Sequence, residues 1–128
     1  MKVLLDTQAF LWWDEAPEKI SANASVIFQN QANTFLLSFA SIWEMQIKVQ
    51  LGKMHLRLPL EKLIEDQKQN TGLVLLPINL AHIFHLDMLP FHHKDPFDRL
   101  LIAQAVIEDI PIMSSDAMLA NYKVQIIW

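Results

Sequence analysis

Four acidic side chains are spaced so that each lies at the end of a predicted strand or near the start of a predicted helix. Asp6 follows the apolar run that opens the chain, Asp116 follows a later apolar run, and Glu44 and Asp98 lie in first helical turns. Carboxylates gathered at one place repel one another, so such a group requires a cation. Without cysteine, an all-oxygen ligand set favours Mg²⁺ or Mn²⁺ over zinc. Such an ion is suited to hydrolysing a phosphodiester, because it activates water and stabilises charge on the phosphorus-bound oxygens.

The elements that must position these acids alternate between strand and helix. Strands are predicted within "MKVLLD", "TFLLSF", "LVLLPI", "IPIMSS" and "KVQIIW". Helices are predicted to begin at Pro17 or Ser21, Ser41, Pro59, Asn79 and Asp95, with short helical turns at 10–13 and 117–122. The alternation predicts an α/β fold with a mostly parallel central sheet of about five strands and helices on both faces. Ligands of such sheets bind beyond the carboxyl ends of the strands, where we expect the four acids to converge.

Length and charge narrow the class of protein. With 128 residues, of which 52% are hydrophobic, the chain is expected to form one domain over residues 1–128. No apolar run approaches about 18 residues and no secretory leader is evident, so a cytoplasmic protein is expected. The net charge of −4 argues against loose, charge-driven binding of nucleic acid, so any contact with a polyanion must be local.

Helix capping is the competing explanation for three of the acids. In "SIWE", Ser41 and Glu44 match a capping box. In "DPFD", Asp95 matches an N-cap that places Asp98 near the positive end of the helix dipole. Asp116 could cap the turn that follows it.

Capping explains Asp6 less well, because the Thr7 and Gln8 that follow it give a weak turn signature. A charge beside a buried strand requires a partner. Capping alone also gives no reason for four acids to share one edge of the sheet, which is why a cation site is the favoured interpretation.

Basic, aromatic and histidine residues give weaker signals. Lys48, Lys53, Arg57, Lys94 and Arg99 could contact an RNA backbone, although Lys48 and Arg99 also fit ordinary helix pairs with Glu44 and Asp95. Trp12 and Trp13 are expected to pack in the core or in a homodimer interface. For His82, His85, His92 and His93, surface or loop roles are favoured over zinc binding.

Five segments together resemble the PIN domain family, in the subgroup related to VapC-type toxins of bacterial toxin–antitoxin modules. They are "LLDTQAFLWW", "SIWEMQIKVQLGKM", "HHKDPFDRLLIAQA", "MSSDAML" and "VQIIW". The resemblance implies a Mg²⁺- or Mn²⁺-dependent endoribonuclease whose catalytic and metal-binding acids match Asp6, Glu44, Asp98 and Asp116. Ser114 matches a small hydroxyl residue two positions before the last acid. Relatives usually carry His where this chain has Gln8, so a proton transfer or substrate contact made by that His is not carried over.

The resemblance also implies partners: RNA, a cognate antitoxin and a second copy of the chain. Two other enzyme classes fit poorly. A dehalogenase-like phosphatase requires a second Asp at the position of Gln8, and a receiver domain requires paired acids after the first strand. The alternative left open is a PIN fold that binds RNA or a protein without cleaving anything.

Overall fold

Five parallel strands form the centre of the computed structural model, which describes residues 1–128. The strands are β1 (Lys2–Leu5), β2 (Thr34–Ser38), β3 (Val74–Leu76), β4 (Ile112–Met113) and β5 (Ile126–Ile127). Their order is β3-β2-β1-β4-β5, and every adjacent pair is parallel. The predicted α/β fold with a parallel five-stranded sheet is therefore confirmed.

Six α-helices connect the strands. They are α1 (Thr7–Glu15), α2 (Ala22–Gln29), α3 (Phe39–Gln50), α4 (Leu60–Thr71), α5 (Leu80–His85) and α6 (Pro96–Glu108). Short 3₁₀ helices occur at Pro17–Lys19, Leu86–Met88 and Ala117–Asn121. None of the helices is long and apolar enough to cross a membrane.

Apolar side chains cover both faces of the sheet. On β1, Val3 and Leu5 pack into one cluster with side chains from α1, α2 and α4. Leu4 points to the opposite face and packs against residues of α6. This alternation follows from the two-residue period of a strand, and it buries both faces beneath helices.

The order of the strands creates a switch point beside β1. The chain proceeds outward from β1 to β2 and β3, and then crosses to β4 on the other side. The Asp6 N–H, just beyond β1, donates to the Met113 carbonyl of β4 at 3.1 Å. In open α/β sheets, the crevice at such a switch point is the usual place for a ligand.

Most predicted helix starts are confirmed, but the start at Ser41 is wrong. The helix α3 begins at Phe39, and the Ser38 hydroxyl accepts from the Ala40 N–H at 2.9 Å. Strand β2 runs directly into α3, so the cap lies three residues earlier than the sequence predicted. Ser41 is buried inside the helix, where its hydroxyl has no hydrogen-bond partner.

The tryptophan pair packs within the chain. The Trp13 ring stacks on Phe28 with centroids 4.6 Å apart and also contacts Phe35 at 5.3 Å. The Trp12 ring lies 5.6 Å from that of Trp128. These contacts give the aromatic pair a packing role inside the protein.

The two serines at the start of α3 form a matched test of the observed cap. We expect Ser38→Ala to lower the free energy of unfolding by about 1 kcal/mol, because an N–H of the first turn loses its acceptor. Ser41→Ala should change it by less than about 0.5 kcal/mol or raise it, since it removes a buried hydroxyl without a partner. Denaturant unfolding measures both changes, and a larger loss for Ser41→Ala would contradict this assignment of the cap.

Candidate active site

The four predicted acids come from four different elements at the carboxyl edge of the sheet. Asp6 follows β1, Asp116 lies just beyond β4, and Asp98 lies in the first turn of α6. Glu44 lies in the second turn of α3, one turn later than predicted, because that helix begins at Phe39.

Hydrogen bonds tie these elements together near the acids. The Thr7 hydroxyl, in the first turn of α1, donates to Glu44 Oε1 at 2.6 Å in a buried contact. The His93 Nε2 atom lies 3.0 Å from Asp98 Oδ2 and 3.1 Å from Asp116 Oδ2. The Thr7–Glu44 contact therefore joins the end of β1 to α3. The His93 side chain joins the start of α6 to the loop after β4.

Burial and mutual repulsion disfavour the charged form of two of these carboxyl groups. Burial is the main cause that raises the pKa of Asp6, and the charges of Asp116 and Glu44 raise it further. Hydrogen bonds from the Ser114 hydroxyl and the Ala9 N–H act in the opposite direction.

The pKa of Asp98 is raised as well. Burial raises its pKa to about 7, and the charges of Asp95, Asp6 and Glu44 add to the effect, while the adjacent His93 acts in the opposite direction. A carboxyl group with such a pKa holds its proton near neutral pH unless a cation replaces it. The pattern is typical of functional sites as well as of structural ion pairs.

Two of the acids also cap the elements that follow them. Asp6 Oδ1 accepts from the Ala9 N–H at 2.7 Å, and Asp116 Oδ1 accepts from the Met118 N–H at 2.9 Å. Asp95 is the N-cap of α6, as predicted, because its Oδ1 atom accepts from the N–H groups of Phe97 and Asp98. Capping fixes the orientation of a carboxylate and still leaves it a second oxygen.

A divalent cation fits this group of side chains. Asp6, Glu44 and the side chain of Asp98 are each at least three-quarters buried. The nearest basic partners in the group are Lys48 and His93. Lys48 Nζ contacts only Glu44, at 3.2 Å from Oε2. A hard ion with oxygen ligands would compensate the remaining negative charge.

The predicted substrate contacts have different surroundings. Ser114 is buried, and its hydroxyl accepts from the Asp116 N–H at 3.0 Å, so it orders the loop that carries this acid. Lys48 is paired with Glu44 and about half exposed, whereas Lys53 is exposed in the turn after α3. Of the basic residues considered, Arg57 is already bridged to Asp14 and Asp66.

Arg99 has a structural environment that argues against its predicted contact with substrate. The residue is only 7% exposed. Its guanidinium donates to the carbonyls of Pro90 at 2.9 Å and Leu86 at 3.2 Å, and it lies 4.2 Å from the centroid of the Phe91 ring. These contacts occupy its donors and hold the segment that leads to α6. The predicted pairing with Asp95 is absent.

Sequence reasoning missed Thr7 and His93 as site residues. Thr7 was noticed only as part of a weak turn signature, although a hydroxyl next to Asp6 can reach a carboxylate of a neighbouring element. His93 lies in a loop, as one of its two expected roles has it, but its side chain is only 14% exposed and lies between two acids. Its position two residues before the cap Asp95 was the available signal.

The raised pKa of Asp98 predicts a pH-dependent cost to the metal-free fold. The folded-state pKa of about 7 exceeds the ordinary value of 3.8, so the stability that Asp98 contributes is full below pH 3.8 and is lost as the pH rises through 7. We expect Asp98→Asn to raise the free energy of unfolding at pH 8 by about 1 kcal/mol or more, and by clearly less at pH 4.5, where only the first part of this stability has been lost. Denaturant unfolding in excess chelator measures this, with Glu61→Gln, on the exposed side of α4, as the control. Equal effects at both pH values would contradict the prediction.

Comparisons with known proteins agree with this architecture. A search of curated proteins found no match. Solved structures with the same fold include VapBC2 from Rickettsia felis bound to a DNA fragment from its promoter, with a TM-score of 0.72, 14% identity, and coverage of 98% of this chain and 97% of that chain. DNA-bound VapBC from Salmonella typhimurium gives a TM-score of 0.68, 12% identity, and coverage of 98% and 96%. VapBC-1 from nontypeable Haemophilus influenzae gives a TM-score of 0.61 and 17% identity, with coverage of 98% of this chain and 96% of that chain. The family model for the PIN domain matches residues 3–125, and the chain therefore belongs to the PIN domain family.

Proposed function

We propose that this protein is a metal-dependent endoribonuclease and the toxin of a type II toxin–antitoxin module, with residues 1–128 acting as one nuclease domain. The observation that carries the proposal is that the elements bearing Asp6, Glu44, Asp98 and Asp116 meet at the carboxyl edge of the sheet, where Asp98 and Asp116 lie close together beside His93. Burial, with the added charges of Asp95, Asp6 and Glu44, raises the pKa of Asp98 to about 7. PIN domains are usually nucleases, and membership of the family supports the same activity.

The four acids are the residues that would hold Mg²⁺ or Mn²⁺. When bound, such an ion activates water and stabilises the negative charge that develops on the phosphorus-bound oxygens. The chain's own contribution is orientation: Thr7 holds Glu44 Oε1, and Ser114 orders the backbone at Asp116. In the proposed hydrolysis, water adds to phosphorus and the bond to the 3′ oxygen breaks, leaving a 5′-phosphate and a 3′-hydroxyl.

The charge distribution favours a local contact with RNA. The net charge of −4 works against a broad electrostatic footprint. The stretch from Gln46 to Leu60 contains no acidic residue and carries Lys48 and Lys53. These two lysines are the proposed contacts with the phosphate backbone, and they follow Glu44 along the same helix and its terminal turn.

RNA cleavage in defined metal tests the proposal. We expect cleavage of a structured RNA with Mn²⁺ or Mg²⁺, and its loss in excess chelator. Glu44→Gln keeps the size of the side chain and an oxygen that can accept from Thr7, so it should preserve the fold while lowering cleavage at sub-saturating Mn²⁺ by about 100-fold or more. Asp6→Asn and Asp98→Asn should act in the same way, and Glu61→Gln is the matched control.

Two results would contradict the enzymatic proposal. One is cleavage by protein shown to be free of contaminating nuclease that survives in excess chelator and in all three variants. The other is binding of RNA or of a partner protein without any cleavage. That result would favour the alternative in which the PIN fold is a non-catalytic interaction domain.

We also propose a homodimer and an antitoxin that covers the acidic edge with a basic side chain. The related structures are described as VapBC complexes bound to DNA. The tryptophan pair packs within the chain and therefore gives no support for association. Support comes from exposed apolar side chains of α5 and of the segment after it, which are Leu80, Phe84, Met88 and Phe91. Phe91 is 83% exposed. Exposed apolar groups of this kind mark interaction surfaces.

Light scattering tests the dimer separately from the chemistry. We expect a mass of two chains at micromolar concentration, and Phe84→Ser with Met88→Ser should shift the protein toward the monomer without unfolding it. Val26→Ser, at an exposed apolar position on α2, is the control. A monomer throughout the micromolar range would contradict this part of the proposal.

A further inference from the structure

We infer that His93 is a positioning residue, whose Nε2–H group holds the carboxylates of Asp98 and Asp116 together, and that it is not a metal ligand. The inference rests on the proposed function for its catalytic consequence. Its structural part concerns the metal-free protein and rests on two hydrogen bonds of the His93 ring and on its close contact with Asp98.

The hydrogen bond at the other ring nitrogen fixes the position of the proton. The Asp95 N–H donates to His93 Nδ1 at 3.1 Å. A backbone N–H can only donate, so Nδ1 must offer its lone pair and carry no proton. A neutral imidazole then has its single proton on Nε2, which is the atom that faces both carboxylates. A nitrogen that carries a proton has no lone pair to give to a metal ion.

The three groups are otherwise close enough to suggest a metal site. One ligand atom each from His93, Asp98 and Asp116 lie within 4.8 Å of one another. On distance alone, His93 could be a third ligand and would favour a transition metal over Mg²⁺. The Asp95 contact argues against this arrangement, because ligation through Nε2 would place the ring proton on Nδ1 against the Asp95 N–H.

The backbone and surroundings of His93 hold the ring in place. The His93 N–H donates to Tyr122 Oη at 2.9 Å, and Arg99 Nη1 lies 3.5 Å from the same oxygen. Arg99 also donates to the Pro90 carbonyl at 2.9 Å. The buried arginine thus orders the loop that carries His93, which gives it a function in the site without contact with substrate.

This arrangement explains how acids from two elements keep one spacing. Asp98 belongs to α6 and Asp116 to the loop after β4. His93 Nε2 hydrogen-bonds to Asp116 Oδ2 at 3.1 Å and lies 3.0 Å from Asp98 Oδ2, so it is in close contact with both carboxyl groups. Once both groups are ionised, repulsion between them would drive them apart without His93. A cation would then have to gather them at a cost in affinity.

Spectroscopy of the wild-type protein tests the assignment of the proton. In ¹⁵N NMR of the metal-free protein, the His93 signals, assigned by their loss in His93→Gln, should show a protonated Nε2 and an unprotonated Nδ1. In pulsed EPR of the Mn²⁺-bound protein, we expect no coupling from a directly bound imidazole nitrogen. A protonated Nδ1, or a directly bound nitrogen whose signal disappears in His93→Gln, would overturn the inference.

Affinity measurements separate positioning from ligation. His93→Gln can still place an N–H near both carboxylates, so its Kd for Mn²⁺ should stay within about 3-fold of wild type, whereas His93→Leu should weaken binding by about 10-fold or more. Equal weakening by both variants, with a selective loss of Zn²⁺ affinity, would assign His93 as a ligand. His55→Gln, an exposed histidine in the loop after α3, is the control. If wild type bound no Mn²⁺, the proposed function would fail, while the NMR result would still decide the position of the proton.

Discussion

Mutual repulsion among carboxylates that are largely withdrawn from water is the interaction on which this site depends. The parallel sheet brings the carboxylates together, because the carboxyl ends of β1, β2 and β4 and the start of α6 all lie at one edge. Burial, with repulsion from neighbouring acids added to it, raises the pKa of Asp6 and Asp98, and this is a cost to the metal-free fold above neutral pH. A stable protein with these residues therefore gains from a bound cation.

Capping and ion binding are compatible roles for the same side chain. Asp6 and Asp116 each use Oδ1 to accept a backbone N–H of the next helical turn. The cap fixes the rotamer, and the carboxylate keeps Oδ2 for another partner. Helix starts at the edge of a parallel sheet thus supply both the orientation of the acids and the positive end of a helix dipole. The sequence arguments for capping and for a cation site were not true alternatives.

The sequence was sufficient to predict the sheet and the acidic residues, because apolar periodicity and parallel crossovers are local patterns with a common geometric result. It misplaced the start of α3, since Ser38 and Ser41 are both acceptable caps and only the direct passage from β2 into the helix distinguishes them. It also misjudged Arg99, whose spacing from Asp95 suggested a surface pair although its carbonyl partners belong to the preceding loop. The place of His93 depends on Tyr122, 29 residues further along the chain, and no local pattern reveals such a contact.

On this account, a divalent ion replaces the proton that burial and neighbouring charges leave on Asp98. Calorimetric titration with Mn²⁺, repeated in buffers of different ionisation enthalpy, measures the protons released on binding. We expect release of about one proton at pH 6, and release that falls toward zero at pH 8.5, where Asp98 has already ionised. The absence of Mn²⁺ binding, or proton release that is the same at both pH values, would contradict this account.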